Sequence, residues 1–303
     1  MNKIEFGDCR ETMRKWASQG VKAQTCVTSP PYYGLRDYGH DGQIGLEETP
    51  EEYITAMVEV FSCVRDVLAD DGTLWLNIGD SYAGNNSQAS NNGRAGYGNP
   101  KERVVNRTGE GLKTKDLIGI PWMLAFALRA DGWYLRQDII WHKPNPMPES
   151  VQDRCTKSHE YIFLLSKSPK YYYDIEAIKE EAQTTDNSDR NRDESRLNNT
   201  PGRTRMAGLT TNHYETKNKR SVWTVTTKPY EGAHFAVFPT DLIEPCILAG
   251  APAGGVVLDP FMGSGTTAQV AQDLGRKYLG CELNPAYQPL QNKRLAQQSL
   301  ELL

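Results

Sequence analysis

The sequence contains no long hydrophobic run and no paired-cysteine motif. No stretch of its 303 residues approaches the roughly 18 consecutive apolar residues that a transmembrane helix requires. Residues Met1 to Phe6 lack the apolar core of a secretory signal peptide. The six cysteines form no CxxC pair, which argues against a zinc ribbon and against a disulfide framework. We therefore expect a cytoplasmic protein without membrane attachment, whose thiols are reduced and mostly buried.

Metal-ligand spacing is also missing from the sequence. His142, His159 and His234 stand apart from one another along the chain, whereas structural zinc sites draw on closely spaced ligands. We expect no metal, and a structural role for His142 and His159.

Positive charge is scarce overall but concentrated in two polar segments. The chain carries a net charge of −4. Residues 85–115 contain six basic and two acidic residues, and residues 183–230 contain nine basic and five acidic residues. Solvated loop charge would account for either segment alone. Basic charge confined to two segments of an otherwise acidic protein is also typical of a localised surface that contacts phosphate.

Predicted strands and helices alternate towards both ends of the chain. Short apolar strands are predicted at residues 23–28, 73–78 and 255–258, and helices at residues 50–68, 117–130 and 266–274. This order is typical of one doubly wound α/β domain with a Rossmann-like sheet. We expect that domain to comprise residues 1–182 and 231–303, with a polar loop at about 83–114. Residues 183–230 are expected to be an inserted segment, without a helix or strand from Gln183 to Arg220.

A glycine-rich turn near the end of the sequence indicates a nucleoside cofactor. The run Val256 to Thr267 predicts a strand ending at Asp259, a glycine turn, and a helix that begins at once. Glycines let the backbone approach a ligand closely, and a helix N-terminus offers free N–H groups. Glu282 ends the next predicted strand, where a carboxylate can accept hydrogen bonds from ribose hydroxyls. The turn fits a nicotinamide dinucleotide or S-adenosylmethionine, and a turn used only for packing is the third alternative.

The run Thr28-Ser29-Pro30-Pro31-Tyr32 distinguishes between these cofactors. An exocyclic amine is a poor nucleophile because its lone pair is delocalised, and hydrogen-bond acceptors beside the NH2 group localise that pair. The Ser29 side chain and the Pro30 carbonyl can be such acceptors, and Tyr32 can stack on a base removed from the duplex. Alone, the run predicts a rigid turn that ends a strand. Together with the glycine turn, it predicts methyl transfer from S-adenosylmethionine to DNA.

These motifs resemble those of the beta-class DNA amino-methyltransferases, which form N4-methylcytosine or N6-methyladenine. The catalytic loop precedes the cofactor loop in that family, and this chain shares the permuted order over most of its length. The resemblance implies S-adenosylmethionine as cofactor, S-adenosylhomocysteine as product, and no metal. At the cofactor it places Asp8, Cys9, Thr28, His234, Phe235, Ala236, Pro239, Asp259, Pro260, Phe261, Gly263, Ser264, Gly265, Thr266, Glu282 and Leu283. At the reacting base it places Ser29, Pro30, Pro31, Tyr32 and Asp80.

The first residue of the catalytic loop bears on the target base. A serine at this position mostly accompanies cytosine in the family, so Ser29 and Asp80 favour the N4 amine of a flipped cytosine. The alternative is adenine N6, and a nicotinamide-dependent oxidoreductase is a distant one. A DNA-binding protein without catalysis is a further alternative. Serine serves here as a neutral acceptor, so no covalent enzyme intermediate is expected.

The resemblance also implies a partner and a setting. Residues 183–230 occupy the family's target-recognition position, so double-stranded DNA is the expected partner. A restriction endonuclease is a further expected partner, in a bacterial or phage setting, and the protein is expected to be a monomer or a homodimer. The residues expected to contact DNA are Arg36, Arg94, Arg103, Arg203, Arg205, Lys217, Lys219 and Arg220.

Overall fold

The centre of the structure is an eight-stranded sheet whose spatial order differs from the order of its strands in the sequence. The computed structural model describes residues 1–35, 37, 39–84, 111–182, 215–227 and 238–296. The sheet has the order β1-β10-β9-β2-β3-β5-β4-β8. Its strands are β1 (Lys3–Phe6), β2 (Ala23–Thr28), β3 (Leu68–Ile78), β4 (Tyr134–His142), β5 (His159–Ser166), β8 (Val222–Thr224), β9 (Val256–Asp259) and β10 (Lys277–Glu282). A separate two-stranded sheet joins β6 (Glu180–Glu181) to β7 (Thr216–Lys217).

One strand of the large sheet runs against the others. Strands β1, β10, β9, β2 and β3 pair in parallel, and β5 is antiparallel to both β3 and β4. The carboxyl ends of the parallel strands therefore share an edge with the beginning of β5. Ligands of open α/β sheets bind beyond this carboxyl edge, where strand order reverses.

Helices cover both faces of the sheet. They are α1 (Cys9–Ser18), α2 (Pro50–Val67), α3 (Ile120–Ala130), α4 (Thr240–Gly250), α5 (Thr266–Asp273) and α6 (Gln288–Ala296). Alternate strand residues point to opposite faces, so Leu74 and Leu76 pack with α1, α2 and α3. Trp75 faces the other way and packs with α4 and α5. The predicted doubly wound α/β architecture is confirmed.

Local signals explain where the helices near the site begin. Thr49 caps α2 and forms a reciprocal capping box with Glu52, and Pro50 occupies the first turn, where its missing N–H costs nothing. The chain leaving β3 pairs with the chain entering α3, since Ala83 N donates to Asp116 O at 2.8 Å and Ile118 N donates to Ser81 O at 3.0 Å. These bonds fix both flanks of the predicted polar loop.

The structure differs from the sequence-based prediction at short or edge elements. The prediction of no strand between Gln183 and Arg220 is wrong at Thr216–Lys217, which pairs with Glu180–Glu181. Directly beyond, Val222–Thr224 extends the main sheet by pairing with β4. Strands of two or three residues are too short to show hydrophobic alternation. The sequence also left α6 unpredicted, because that helix is polar on most of its surface.

Three features expected from the sequence concern the described residues as a whole: membrane spans, cysteines and metal ligands. Among them, no helix combines the length and apolar character needed to cross a bilayer. All six cysteines are free, and five of them are buried, whereas Cys155 is exposed. In the same ranges, no three His, Cys, Asp or Glu side chains are grouped to hold a metal ion.

Candidate active site

The two predicted loops lie side by side because β2 and β9 are neighbours in the sheet. Asp259, at the end of β9, is buried and accepts a hydrogen bond of 2.6 Å from the Thr28 hydroxyl at the end of β2. Its second carboxylate oxygen accepts a bond of 2.7 Å from the Thr267 hydroxyl in α5. Thr28 and Asp259, which lie 231 positions apart in the sequence, thus tie the predicted catalytic loop to the predicted cofactor loop.

Asp259 is also an unusual acid. Burial raises its pKa to about 6, and the hydrogen bonds from Thr28 and Thr267 only partly oppose that rise. Burial disfavours the charged form of a carboxyl group, and hydrogen bonds to the carboxylate favour it. A buried carboxylate at this junction therefore carries a stability cost at neutral pH.

The free energy of unfolding of the wild type should fall between about pH 4 and pH 6, and replacing Asp259 by asparagine should make that fall smaller. The folded-state pKa of about 6 lies above the unfolded value of about 3.9. The stabilising contribution is thus complete below about pH 4 and is lost as the pH rises through 6. The wild type should lose up to about 3 kcal/mol relative to Asp259→Asn across this window. Urea unfolding of both proteins from pH 4 to pH 7 measures the difference.

The exposed carboxyl of Asp70, whose side chain is 99% accessible, provides the control. Asp70→Asn should follow the wild-type profile. Parallel profiles of the wild type and Asp259→Asn would contradict a raised pKa at Asp259.

The glycine turn lies against Glu282 at the end of β10. Gly263 N donates to Glu282 Oε2 at 2.7 Å, and Asn284 N donates to Oε1 at 2.8 Å. Burial raises the pKa of Glu282, and these backbone donors oppose the rise. Gly265 precedes α5 with a φ of +88°, a conformation that favours glycine, and α5 has no side-chain cap. Its first N–H groups are therefore available to a ligand.

An unpaired hydroxyl in this turn tests whether a cofactor fits. Ser264 is 2% exposed, and its hydroxyl has no hydrogen-bond partner among the described residues. Buried polar groups are nearly always paired in folded proteins, so an orphaned hydroxyl calls for a partner. The Ser264 hydroxyl, the uncapped helix and the Glu282 carboxylate together fit the polar groups of a nucleoside cofactor.

Two residues that brace the turn were missed by sequence analysis. Gln291 Nε2 donates to the Gly263 carbonyl at 2.7 Å, and Arg294 Nη1 donates to the Thr266 hydroxyl at 2.7 Å. Both belong to α6, and no spacing in the sequence links that helix to the turn.

The other predicted cofactor residues are distributed around the same edge. Asp8 caps α1 and binds the Arg10 guanidinium at 2.6 Å, an interaction that holds the pKa of Asp8 low. Burial raises the pKa of Cys9 to about 12, so its thiol stays protonated. Pro239 is buried and precedes α4. Pro260, Phe261 and Leu283 follow β9 and β10 directly. His234, Phe235 and Ala236 lie outside the described residues.

The predicted catalytic loop is held in place through Pro31. Tyr53 of α2 donates its hydroxyl hydrogen to the Pro31 carbonyl at 2.8 Å. Pro30 is buried and Ser29 is half-buried. Among the described residues, none donates a hydrogen bond to the Pro30 carbonyl.

Tyr32 is anchored by residues that sequence analysis did not select. Its hydroxyl donates to Glu160 Oε2 at 2.7 Å, and Glu160 pairs with Lys143. Its ring lies against Gly79, where an added Cβ would stand 2.7 Å from Tyr32 Cε2, so a glycine is needed there. Glu160 was missed because it lies at the start of an antiparallel strand, whereas the other predicted site residues lie after the ends of parallel strands. The start of β5 lies at the same edge only because its direction is reversed.

Asp80 binds the beginning of α3. Its carboxylate accepts hydrogen bonds from Ser81 N at 2.9 Å, Gly119 N at 3.0 Å and Ile120 N at 3.2 Å. Gly119 precedes α3 and has no side chain to cap it, so Asp80 supplies the cap. A role for Asp80 at the reacting base stays a prediction.

Three of the predicted DNA-contacting residues are described, and they lie near the β8 edge of the sheet. Lys219 and Arg220 pair with Glu180 at 3.8 Å and 3.2 Å, and Lys219 also lies over the Trp223 ring. Lys217 belongs to β7. Arg36, Arg94, Arg103, Arg203 and Arg205 lie outside the described residues.

Comparison with known proteins agrees with this fold and shows the family. The model of the N6/N4 DNA methylase family matches residues 23–293. The chain belongs to the DNA methylase family. A relative, the Type II methyltransferase M.SmaI of Serratia marcescens, is 51% identical over 301 residues, covering 97% of this chain and 90% of the relative.

Solved structures support the fold. A putative DNA modification methylase from Thermus thermophilus, solved in complex with S-adenosyl-L-methionine, gives a TM-score of 0.60 at 22% identity, covering 98% of this chain and 94% of that one. The PvuII DNA methyltransferase, described as cytosine-N4-specific, gives a TM-score of 0.60 at 18% identity, covering 96% and 85%.

Family membership decides between the alternatives left by the glycine turn. The protein is a DNA methyltransferase of the N6/N4 family, and DNA is its substrate. The predicted cofactor S-adenosylmethionine is thereby confirmed, and the nicotinamide alternative falls away.

Proposed function

We propose that the protein transfers a methyl group from S-adenosylmethionine to the N4 amine of a cytosine flipped out of double-stranded DNA. The observation that carries the proposal is the junction of two loops through the Thr28–Asp259 bond. That bond brings two neutral acceptors, the Ser29 hydroxyl and the Pro30 carbonyl, next to the cofactor turn. The PvuII enzyme, which shares the fold, is described as cytosine-N4-specific, and this supports the choice of base.

The residues of the chain have distinct roles in this reaction. The bound cofactor supplies an electrophilic methyl group. The Ser264 hydroxyl, the first amides of α5 and the Glu282 carboxylate would hold its polar parts. The Ser29 hydroxyl and the Pro30 carbonyl each accept a hydrogen bond from one of the two N–H groups of the target amine. These bonds localise the nitrogen lone pair and orient it. The Pro30 carbonyl can keep its hydrogen bond to the methylated amine until the surplus proton passes to water.

The rigidity of the catalytic loop is part of the same proposal. Two consecutive prolines restrict the backbone, and Tyr53 fixes the Pro31 carbonyl at 2.8 Å. Acceptors that are already in place lose little free energy to reorganisation when charge develops on the amine. The same acceptors suit the N6 amine of adenine, which is the alternative substrate, and the serine at the first position favours cytosine.

Residues 183–230 are proposed to recognise the target sequence. Lys217, Lys219 and Arg220 adjoin β8, so contacts made there would be fixed relative to the catalytic edge by the sheet. The likeness to a Type II methyltransferase supports a role in restriction and modification, in which methylation protects DNA from a partner endonuclease.

A direct assay tests the proposed function. The purified protein is incubated with methyl-labelled S-adenosylmethionine and unmethylated bacterial genomic DNA. Label should enter the DNA, with one S-adenosylhomocysteine formed for each methyl group transferred. Absence of label from the DNA, with a folded protein that binds the cofactor, would overturn the proposal.

A further inference from the structure

A cluster of four polar side chains connects the catalytic loop to three other strands. Tyr32 follows β2, Asn77 lies in β3, Lys143 follows β4 and Glu160 lies at the start of β5. The Tyr32 hydroxyl donates to Glu160 Oε2 at 2.7 Å, and Asn77 Nδ2 approaches the same oxygen at 3.3 Å. Lys143 Nζ donates to Glu160 Oε1. The Glu160 carboxylate therefore binds one side chain associated with each of the other three strands.

The environment of Glu160 holds its side chain in place. Its side chain is 16% exposed and that of Lys143 is 18% exposed, so each largely buried charge has a partner. Hydrogen bonds to ionised groups are shorter and stronger than neutral ones. Asn77 is oriented by a second bond, from Nδ2 to the Tyr161 carbonyl at 3.1 Å. The acceptor that faces Tyr32 is thus held from two sides.

Tyr32 in turn bears on the catalytic acceptors. Its ring is confined against Gly79. Burial and the Glu160 carboxylate raise the pKa of Tyr32, so its hydroxyl stays protonated and able to donate to Glu160. Tyr32 belongs to the same short loop as Ser29 and Pro30. Movement of its ring would therefore disturb the surface offered to a flipped base and the loop that carries both acceptors.

We propose that Glu160 is a positioning residue, which holds Tyr32 and through it the target base in the geometry that methyl transfer requires. This inference rests on the proposed function, but it applies to a cytosine or an adenine. Both Glu160 oxygens already accept bonds from Tyr32, Asn77 and Lys143. Glu160 is thus engaged in holding the loop. Small displacements of a reacting group can lower a rate about 100-fold.

A double-mutant cycle tests the link. The variants are Glu160→Ala, Tyr32→Phe and the pair combined, studied in the full chain with donor and DNA. The single-turnover rate of methyl transfer should fall about 10- to 100-fold in each single variant. The dissociation constants for S-adenosylmethionine and DNA should change less than about threefold. In the Tyr32→Phe background, Glu160→Ala should lower the rate less than about threefold further, because the bond is already gone.

A matched control and a conservative variant complete the experiment. Asp131 pairs with Arg65 at the opposite edge of the sheet, so Asp131→Asn should transfer methyl groups at the wild-type rate. Glu160→Gln keeps an acceptor for Tyr32 but turns an N–H donor towards Lys143 or Tyr32. It should restore part of the rate lost in Glu160→Ala.

Two results would overturn the inference. One is an equal loss of rate from Glu160→Ala in the wild-type and Tyr32→Phe backgrounds. The other is a loss confined to DNA affinity. Thermal unfolding of the same four proteins without DNA provides a readout independent of activity, in which the shifts in Tm should be less than additive. If the wild type methylates no DNA, the proposed function fails. The shifts in Tm then test the Tyr32–Glu160 link on their own: shifts that are less than additive support it, and additive shifts contradict it.

Discussion

Replacing Ser29 by alanine should lower the rate of methyl transfer about 100- to 1,000-fold, the range seen when one preorganised hydrogen-bonding group is removed from an active site. The methyl side chain cannot accept a hydrogen bond from the target amine, so the lone pair stays delocalised. Ser29 is half-buried in a loop held by Tyr53 and by the Thr28–Asp259 bond, and the loop should keep its shape. Single-turnover transfer to DNA at saturating S-adenosylmethionine measures the effect.

Cofactor binding separates loss of chemistry from loss of structure in this variant. The dissociation constant for S-adenosylmethionine should be unchanged in Ser29→Ala, since the cofactor turn lies in a different loop. Ser18→Ala, in an exposed position at the end of α1, is the control and should be fully active. A Ser29→Ala protein that retains more than about a tenth of the wild-type rate would contradict the proposed role of Ser29.

Replacing Glu282 by alanine should weaken the binding of S-adenosylmethionine about 10- to 100-fold. The carboxylate lies at the end of β10, where it holds the amides of Gly263 and Asn284 and where ribose hydroxyls are expected. Losing hydrogen bonds to a charged acceptor costs about 1.5–3 kcal/mol, and each 1.4 kcal/mol is about tenfold in affinity. Calorimetric titration of the cofactor into the wild type and the variant measures the change.

The maximal rate and two further variants identify the cause of that change. Once saturated with cofactor, Glu282→Ala should transfer methyl groups within a few-fold of the wild-type rate. Glu282→Gln, which keeps one acceptor oxygen, should bind with intermediate affinity. Glu244 is exposed on α4, and Glu244→Ala should bind normally. Equal affinity of Glu282→Ala and the wild type would remove Glu282 from the cofactor site.

Much of the cofactor half of the site could be predicted from the sequence because its signals are local. A strand, a glycine turn and a helix N-terminus are contiguous from Val256 to Thr267, and the structure has β9, the turn and α5 in that order. The pairing of β2 with β9 is not local. The resemblance to a permuted family gave only the order of the two loops along the chain, and the strand order of the sheet shows that they lie side by side.

The supporting residues could not be predicted, and the reasons are physical. Glu160 pairs with Lys143 and lies near the predicted catalytic loop only because β5 is antiparallel to its neighbours. A lone acidic residue before an apolar run does not indicate the direction of the strand that follows. Asp80 was selected from the resemblance to the family, but its partners, the amides of Gly119 and Ile120, lie about forty residues further along the chain. Such long-range hydrogen bonds depend on tertiary packing, which periodicity and spacing do not describe.

The most direct test of the central claim is the identity of the methylated nucleoside. The gene is expressed in a host that methylates no DNA, and the genomic DNA is digested and analysed by mass spectrometry. Wild-type protein should yield N4-methyldeoxycytidine, and its amount should be strongly reduced with Ser29→Ala. N6-methyldeoxyadenosine alone would contradict the choice of cytosine, and 5-methyldeoxycytidine or no methylated nucleoside would contradict amino-methyl transfer through the Ser29–Pro30 acceptors.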